Sequence, residues 1–267
     1  MTTQLEDLFV QTRSENRAAL IAYIPAGFPS QEGCKKIIAA LAKAGVDAVE
    51  IGFPYSDPVM DGPTIQEASG ISLANGTGAA EVFSALKSAH DVGLPALVMT
   101  YWNPIEAYGV DNFAQEMARN GGSGVITPDL TIEESEGWKS ATDGAGINTV
   151  YVVALSTNDD RLARVTARCS GFVYAASLMG VTGARTTMSS GAEDLVSRIR
   201  TCSTLPVAVG LGVSTRAQAK EVAGYADGVI VGSAFIKVIL EAKTETDAIA
   251  AVDVLARELV KGVREAR

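Results

Sequence analysis

Eight short apolar segments, each followed by a stretch with helical periodicity, constrain the fold of this chain more than any other feature. They cover residues 19–24, 48–53, 96–101, 124–127, 149–153, 171–175, 207–210 and 228–231. Continuous rather than alternating apolar runs are typical of parallel strands, and parallel strands need right-handed crossover connections. Eight such units in about 250 residues is the usual size of a closed (β/α)8 barrel. We predict an α/β fold, a single TIM-barrel domain over residues 1–267, with a doubly wound open sheet as the alternative.

The helical stretches between these segments include two additions to a minimal barrel. Ordinary crossovers are predicted at residues 35–44, 111–120, 132–142, 159–168, 192–200 and 215–223. The connection between the second and third strands is doubled, with helices at 64–74 and 79–90, and extra helices stand at 4–12 and 248–264. Because both terminal helices carry apolar stripes, we expect them to plug or flank the barrel.

Charge and residue usage limit the classes of function. The 31 acidic and 22 basic residues give a net charge of -9, which disfavours binding to nucleic acid or to an anionic membrane. Three cysteines without CxxC spacing and a single histidine indicate neither a disulfide framework nor a metal site. The N-terminus lacks the pattern of a signal peptide, and no apolar run approaches the roughly 20 residues of a membrane span. We therefore expect a cytoplasmic protein whose partners are small molecules or proteins.

One carboxylate interrupts an apolar strand. The motif VEIGFPYSDPVMDGPTIQ, residues 49–66, places Glu50 at a position that faces the barrel interior. An unpaired ionised group is costly there, and no predicted strand contains a basic residue that could reach it. Active sites of such barrels lie at the C-terminal ends of the strands, where perturbed carboxylates concentrate. We interpret Glu50 as a catalytic group in preference to half of a structural ion pair.

A second carboxylate, Asp61, stands eleven positions later in the same motif. Its loop contains Pro54, Pro58 and Pro63, which lower the entropy lost when the loop adopts one geometry. Asp-Gly-Pro alone is common turn chemistry. Because the loop is stiff and lies beside the barrel mouth, Asp61 is the second catalytic candidate.

Glycine-rich turns late in the chain form the third signal. They occupy residues 180–183, 210–214 and 232–233, after the last three predicted strands. Glycines allow the backbone to approach an anion, and barrels of this kind often bind phosphate after strands seven and eight. Each turn alone reads as a tight turn, but their convergence on one rim favours a phosphate site. Tyr23, Tyr101 and Tyr174 lie on or at the ends of strands, where each either fills the core or walls a pocket.

These motifs together resemble the alpha subunit of tryptophan synthase over essentially the whole chain. The resemblance implies a lyase that cleaves indole-3-glycerol phosphate to indole and glyceraldehyde 3-phosphate. It also implies no cofactor in this chain and a tryptophan synthase beta subunit as partner, in an alpha2-beta2 tetramer. The beta subunit is expected to carry pyridoxal phosphate and to condense the indole with serine.

The resemblance also assigns roles to residues. Glu50 resembles the general acid/base, and Asp61 resembles the carboxylate that stabilises positive charge on the indole N–H. Buried Glu50 should have a raised pKa, whereas Asp61 should stay ionised. Asp57 and Thr182 match the pair that closes two loops. The remaining substrate-binding candidates are Gly183, Gly212, Val213, Gly232 and Ser233 for the phosphate, and Tyr23, Met99, Tyr101 and Tyr174 around the indole.

Some positions depart from the family pattern, and other functions stay open. The departures are Pro25, Trp102 and the segment 154–157, where the family commonly has threonine, a small residue and a proline-rich turn. A different phosphosugar isomerase on the same barrel, a lyase that acts alone and releases free indole, and a non-catalytic regulatory subunit are the competing hypotheses.

Overall fold

The computed structural model describes residues 3–176, 190–210 and 212–267 of the chain. Within them, nine parallel strands are connected mostly by helices. The strands are β1 (Ala19–Pro25), β2 (Ala48–Gly52), β3 (Ala96–Met99), β4 (Gly122–Ile126), β5 (Asn148–Val150), β6 (Val152–Ala154), β7 (Val173–Ala176), β8 (Val207–Gly210) and β9 (Gly228–Val231). The helices are α1 (Gln4–Ser14), α2 (Gln31–Ala44), α3 (Pro63–Ala74), α4 (Ala79–Asp91), α5 (Trp102–Tyr108), α6 (Val110–Arg119), α7 (Glu136–Ala145), α8 (Asp159–Thr166), α9 (Ser190–Cys202), α10 (Arg216–Tyr225), α11 (Ser233–Leu240) and α12 (Glu245–Arg264).

The strands form a nearly closed barrel. Their order is β5-β4-β3-β2-β1-β9-β8-β7-β6, and every pairing is parallel. The two end strands of this order, β5 and β6, are joined in the chain by Tyr151 alone, so together they complete the circle. They correspond to the single strand predicted at 149–153. The predicted TIM barrel is confirmed, and the open-sheet alternative is wrong.

The two terminal helices have different places in the barrel. Leu5, Leu8 and Phe9 of α1 belong to the core inside the barrel, where the ring of Phe9 lies 5.5 Å from that of Phe172. Helix α12 packs on the outside, against α2, α10 and α11. The expectation that these helices plug or flank the barrel is confirmed, because α1 plugs its N-terminal end and α12 flanks it. None of the described helices combines the length and apolarity that crossing a membrane requires.

The plug helix is tied to the barrel by its first turn. Thr3 and Glu6 form a capping box that satisfies two backbone N–H groups at the start of α1. The same side chains bind Asn148 of β5: the Thr3 hydroxyl donates to Asn148 Oδ1 at 2.5 Å, and Asn148 Nδ2 donates to Glu6 Oε1 at 2.9 Å. The cap therefore also orients α1 beneath the strands.

Several helix boundaries differ from the sequence prediction by a few residues, and the differences at α5 and α7 have a clear local cause. Helix α5 was not predicted, yet Pro104 lies in its first turn, where the missing N–H has no helical partner to lose. Helix α7 begins at Glu136 and not at 132. The Ser135 hydroxyl donates to the carbonyl of Ile132 at 3.1 Å, so the preceding residues form a separate turn.

Candidate active site

A cavity of about 420 Å³ lies at the C-terminal end of the barrel. Most of the predicted site residues line it, namely Tyr23, Glu50, Asp61, Met99, Tyr174, Gly212, Gly232 and Ser233. Val213 is buried but does not line the cavity, and Tyr101 contacts the loop that carries Asp61. Thr182 and Gly183 lie outside the described residues. The fold thus brings together residues that are up to 210 positions apart, from Tyr23 to Ser233.

Glu50 is a buried acid in the wall of the cavity. It lies in the middle of β2, opposite Tyr23 of β1 and Leu97 of β3, and is 1% exposed. Its Oε2 atom has no hydrogen-bond partner among the described residues. Burial raises the pKa of Glu50 to about 8, and the negative charge of Asp61 acts in the same direction. Glu50 therefore holds a proton at neutral pH, as the sequence predicted.

Asp61 stands at the end of a loop that folds over the cavity. Its N–H donates to the carbonyl of Pro58 at 3.0 Å, and its own carbonyl accepts from Gln66 Nε2 at 2.8 Å. Pro63 then begins α3. Partial burial raises the pKa of Asp61 to about 6, so the carboxyl group is mostly ionised at pH 7. The two acids are thus held in opposite protonation states near neutrality.

The two tyrosines of the cavity occupy equivalent positions on their strands. Tyr23 pairs with Glu50 of the next strand, and its ring lies over Gly52, where a Cβ atom would collide with it. Tyr174 pairs with Ala208, and Gly210 makes room for its ring in the same way. Burial raises the pKa of both phenols well above the ordinary value. Both are therefore neutral hydroxyl groups.

Helices α10 and α11 begin at this end of the barrel, and they differ in whether a side chain caps the N–H groups of the first turn. The first turn of α10 is closed by a capping box between Thr215 and Gln218. By contrast, α11 begins after Gly232, which offers no side chain to cap it, and Gly232 and Ser233 both line the cavity. The neighbouring Gly212 has a φ of 69°, a conformation that glycine adopts readily. The uncapped N–H groups of its first turn and the positive end of its helix dipole favour the binding of an anion at the N-terminus of α11.

Several lining residues were missed by the sequence reasoning. They are Val59, Met60, Gly62, Thr64, Ile65, Ala176 and Ile230. The first five belong to the motif that carries both acids, so their position in that motif was the available signal. Ala176 lies two positions after Tyr174, and Ile230 lies two before Gly232. The two-residue period of a strand could therefore have identified them.

The positions that depart from the family pattern are not part of the cavity wall. Pro25, Trp102 and the segment 154–157, which depart from the family pattern, do not line the cavity. Among the residues that the structure describes, no group of three His, Cys, Asp or Glu side chains is placed to hold a metal ion.

A parallel barrel that holds a protonated acid, an ionised acid and an open helix N-terminus around one cavity is a TIM-barrel enzyme built for acid–base chemistry. Comparison with known families identifies which one. Residues 9–264 match the family described as tryptophan synthase alpha chain. The chain belongs to this family.

Individual relatives agree over the full length. The tryptophan synthase alpha chain of Streptomyces avermitilis is 54% identical over 261 residues, which cover 97% of this chain and 94% of the relative. That of Thermobifida fusca is 50% identical and covers 99% of both chains. A structure of Mycobacterium tuberculosis tryptophan synthase superposes with a TM-score of 0.93 at 44% identity, with 99% of both chains covered.

Family membership establishes the reaction. The chain is a carbon–carbon lyase of tryptophan biosynthesis, and its substrate is indole-3-glycerol phosphate. The hypotheses of another phosphosugar isomerase and of a non-catalytic regulatory subunit are therefore set aside.

Proposed function

We propose that Glu50 and Asp61 together catalyse the cleavage of indole-3-glycerol phosphate in this cavity. The observation that carries the proposal is the buried carboxyl group of Glu50, whose Oε2 atom has no hydrogen-bond partner among the described residues, in one cavity with a second acid of lower pKa. Burying a carboxyl group without a partner destabilises the fold, and such groups concentrate at functional sites.

The two protonation states match the two halves of the reaction. Protonated Glu50 delivers its proton to the indole ring carbon that bears the glycerol chain, and the ring becomes cationic. Ionised Asp61 stabilises that positive charge at the indole N–H. The Glu50 carboxylate then accepts the proton of the adjacent glycerol hydroxyl as the carbon–carbon bond breaks. The bonding electrons return to the ring, an aldehyde forms, and Glu50 is again protonated.

The rest of the cavity orients the substrate. We place the phosphate at the N-terminus of α11, against Gly232 and Ser233, with Gly212 beside it. Val213 follows Gly212 in the chain, and its backbone is proposed to contribute to the same phosphate site. Thr182 and Gly183 are proposed to complete the phosphate side.

The indole ring is proposed to lie at the opposite side of the cavity, toward β3 and the catalytic loop. Met99 of β3 supplies apolar surface there, and the rings of Tyr23 and Tyr174 add aromatic surface to the cavity wall. An anchored phosphate and an enclosed ring fix the bond between them close to Glu50.

We also propose that the chain passes its indole to a beta subunit that carries pyridoxal phosphate, in an alpha2-beta2 assembly, and needs no cofactor of its own. Val59 and Met60, at the cavity mouth, are 80% and 57% exposed, which suits an apolar docking surface. The described cysteines are unpaired, in keeping with a cytoplasmic location. Titration with a beta subunit should accelerate cleavage, whereas an unchanged rate would favour a lyase that acts alone.

The catalytic proposal is tested by Glu50→Gln, which keeps the shape of the side chain and removes the transferable proton. Indole release from indole-3-glycerol phosphate should fall by about 10³-fold, within the range of general acid–base catalysis. Glu67→Gln is the matched control, because Glu67 lies exposed on α3, and its rate should not change. Near-normal turnover by Glu50→Gln would remove Glu50 from the mechanism.

A further inference from the structure

Within the described part of the chain, the loop that carries Asp61 makes one hydrogen bond to the barrel wall. Most of the hydrogen bonds that residues 54–61 form within the described chain join residues of this loop to each other. The two exceptions are the bond from Gln66 to Asp61 and a bond to Tyr101. In the latter, the N–H of Met60 donates to the hydroxyl oxygen of Tyr101 at 2.9 Å. Met60 directly precedes Asp61, so this bond fixes the peptide from which the catalytic carboxylate projects.

Tyr101 is itself rigidly held. It is 5% exposed and lies between the end of β3 and the start of α5. On one side, the N–H of Thr100 donates to the carbonyl of Ile126 at 3.0 Å. On the other, the N–H of Trp102 donates to the Asp129 carboxylate at 3.0 and 3.1 Å. With the N–H groups of both neighbouring residues bound and its own side chain buried, Tyr101 is a fixed point for the loop.

The chemistry of the phenol suits this task. Burial raises the pKa of Tyr101 to about 12, and the charges of Asp61 and Asp129 act in the same direction. The neutral hydroxyl therefore accepts from Met60 without bringing a second negative charge close to Asp61. The ring of Tyr55, from the same loop, lies 5.2 Å from the ring of Tyr101 and adds an apolar contact.

We propose that Tyr101 is a positioning residue, whose hydroxyl holds the Met60 peptide so that Asp61 points into the cavity. Tyr101 does not line the cavity, so it acts through Asp61 and not by touching substrate. This inference rests on the catalytic role proposed for Asp61. Because Met60 lies in a largely exposed part of the loop, loss of this one hydrogen bond should leave the barrel folded. The expected loss is therefore one of alignment, not of folding.

The first test is Tyr101→Phe, which removes the hydroxyl and keeps the ring. The kcat for indole release should fall roughly five- to tenfold, as expected from the loss of one hydrogen bond, with little change in KM. The acidic limb of the pH profile should move below pH 6, because a looser loop exposes Asp61 to water. Tyr108→Phe is the matched control: its hydroxyl is on the neighbouring helix and 40% of the residue is exposed, so kcat and the profile should stay unchanged.

A double-mutant cycle separates this inference from the proposed function. In an Asp61→Asn background, Tyr101→Phe should cause no further loss, since the residue that it positions is already disabled. A full five- to tenfold loss in that background would overturn the inference. Normal activity of Tyr101→Phe, with Asp61→Asn defective, would overturn the inference alone. Normal activity of Asp61→Asn would overturn both the inference and the catalytic role of Asp61.

Discussion

The two ends of the barrel share the same strands but differ in the side chains that face inward. At the N-terminal end the inward-facing side chains are apolar and close on the plug helix α1. Two residues further along the same strands, the inward-facing positions line the active-site cavity. The first set includes Ile21, Ala48, Leu97, Phe172 and Ala208, and the second includes Tyr23, Glu50, Met99, Tyr174 and Gly210.

This difference separates stability from catalysis within one fold. The plugged end buries Leu5 and Phe172 completely in an apolar cluster. The open end holds Glu50, whose burial disfavours its ionised form and lowers the stability of the fold as pH rises. Mutations at the two ends should therefore have opposite effects on stability and on activity.

The largest effect on stability is expected at the plug. Leu5→Ala removes a fully buried side chain that faces Gly124 and Gly171, where the surrounding backbone cannot easily collapse into the space. The free energy of unfolding should fall by about 4 kcal/mol, within the range for such substitutions. Chemical denaturation measures this loss, and kcat for indole release should be retained wherever the variant is folded.

The exposed residue Val10 on the same helix provides the control. It is 69% exposed, so Val10→Ala should change the free energy of unfolding by less than about 0.5 kcal/mol. A large loss of kcat in folded Leu5→Ala would show that the plugged end also supports catalysis, and the separation between the ends would be lost.

A smaller and opposite effect is expected at the active end. The pKa of Glu50 is raised from an ordinary 4.5 to about 8 in the folded protein, so the folded state binds more protons than the unfolded state between these values. Stability should therefore decrease as pH rises from about 5 to 8 and then level off. Glu50→Gln lacks this dependence. Relative to wild type it should gain about 3 kcal/mol across that interval.

Urea denaturation of both proteins at pH 5, 6.5 and 8 measures the difference. Glu67→Gln, which changes an exposed acid, should follow the wild type at all three values. A constant difference between Glu50→Gln and wild type across the pH range would mean that Glu50 is not buried as a neutral acid.

The architecture was predictable because its signals are local. Eight apolar segments, each followed by a helical stretch, predict a barrel. The apolar stripes of the two terminal helices predict that these helices pack against it. The division of the fifth strand at Tyr151 and the short helix α5 were not predicted, since each depends on how neighbouring strands and loops meet. Local patterns do not contain these tertiary contacts.

The site was predictable where one residue conflicts with its surroundings. Glu50 stands out because a carboxylate is unexpected in an apolar strand, and its Oε2 atom has no hydrogen-bond partner among the described residues. The contact of Tyr101 with Met60 could not be foreseen. It joins residues 41 positions apart through a loop whose path the sequence does not define. The raised pKa of Asp61 likewise follows from a loop that folds inward.

The pH dependence of kcat/KM for indole-3-glycerol phosphate cleavage tests the central claim most directly. The proposed mechanism requires Asp61 ionised and Glu50 protonated, so the rate should rise with pH through about 6, peak near 7 and fall through about 8. The two limbs belong to the interacting pair of acids. A rate that keeps rising above pH 8 would contradict the account, because Glu50 would then have to act first as an ionised base.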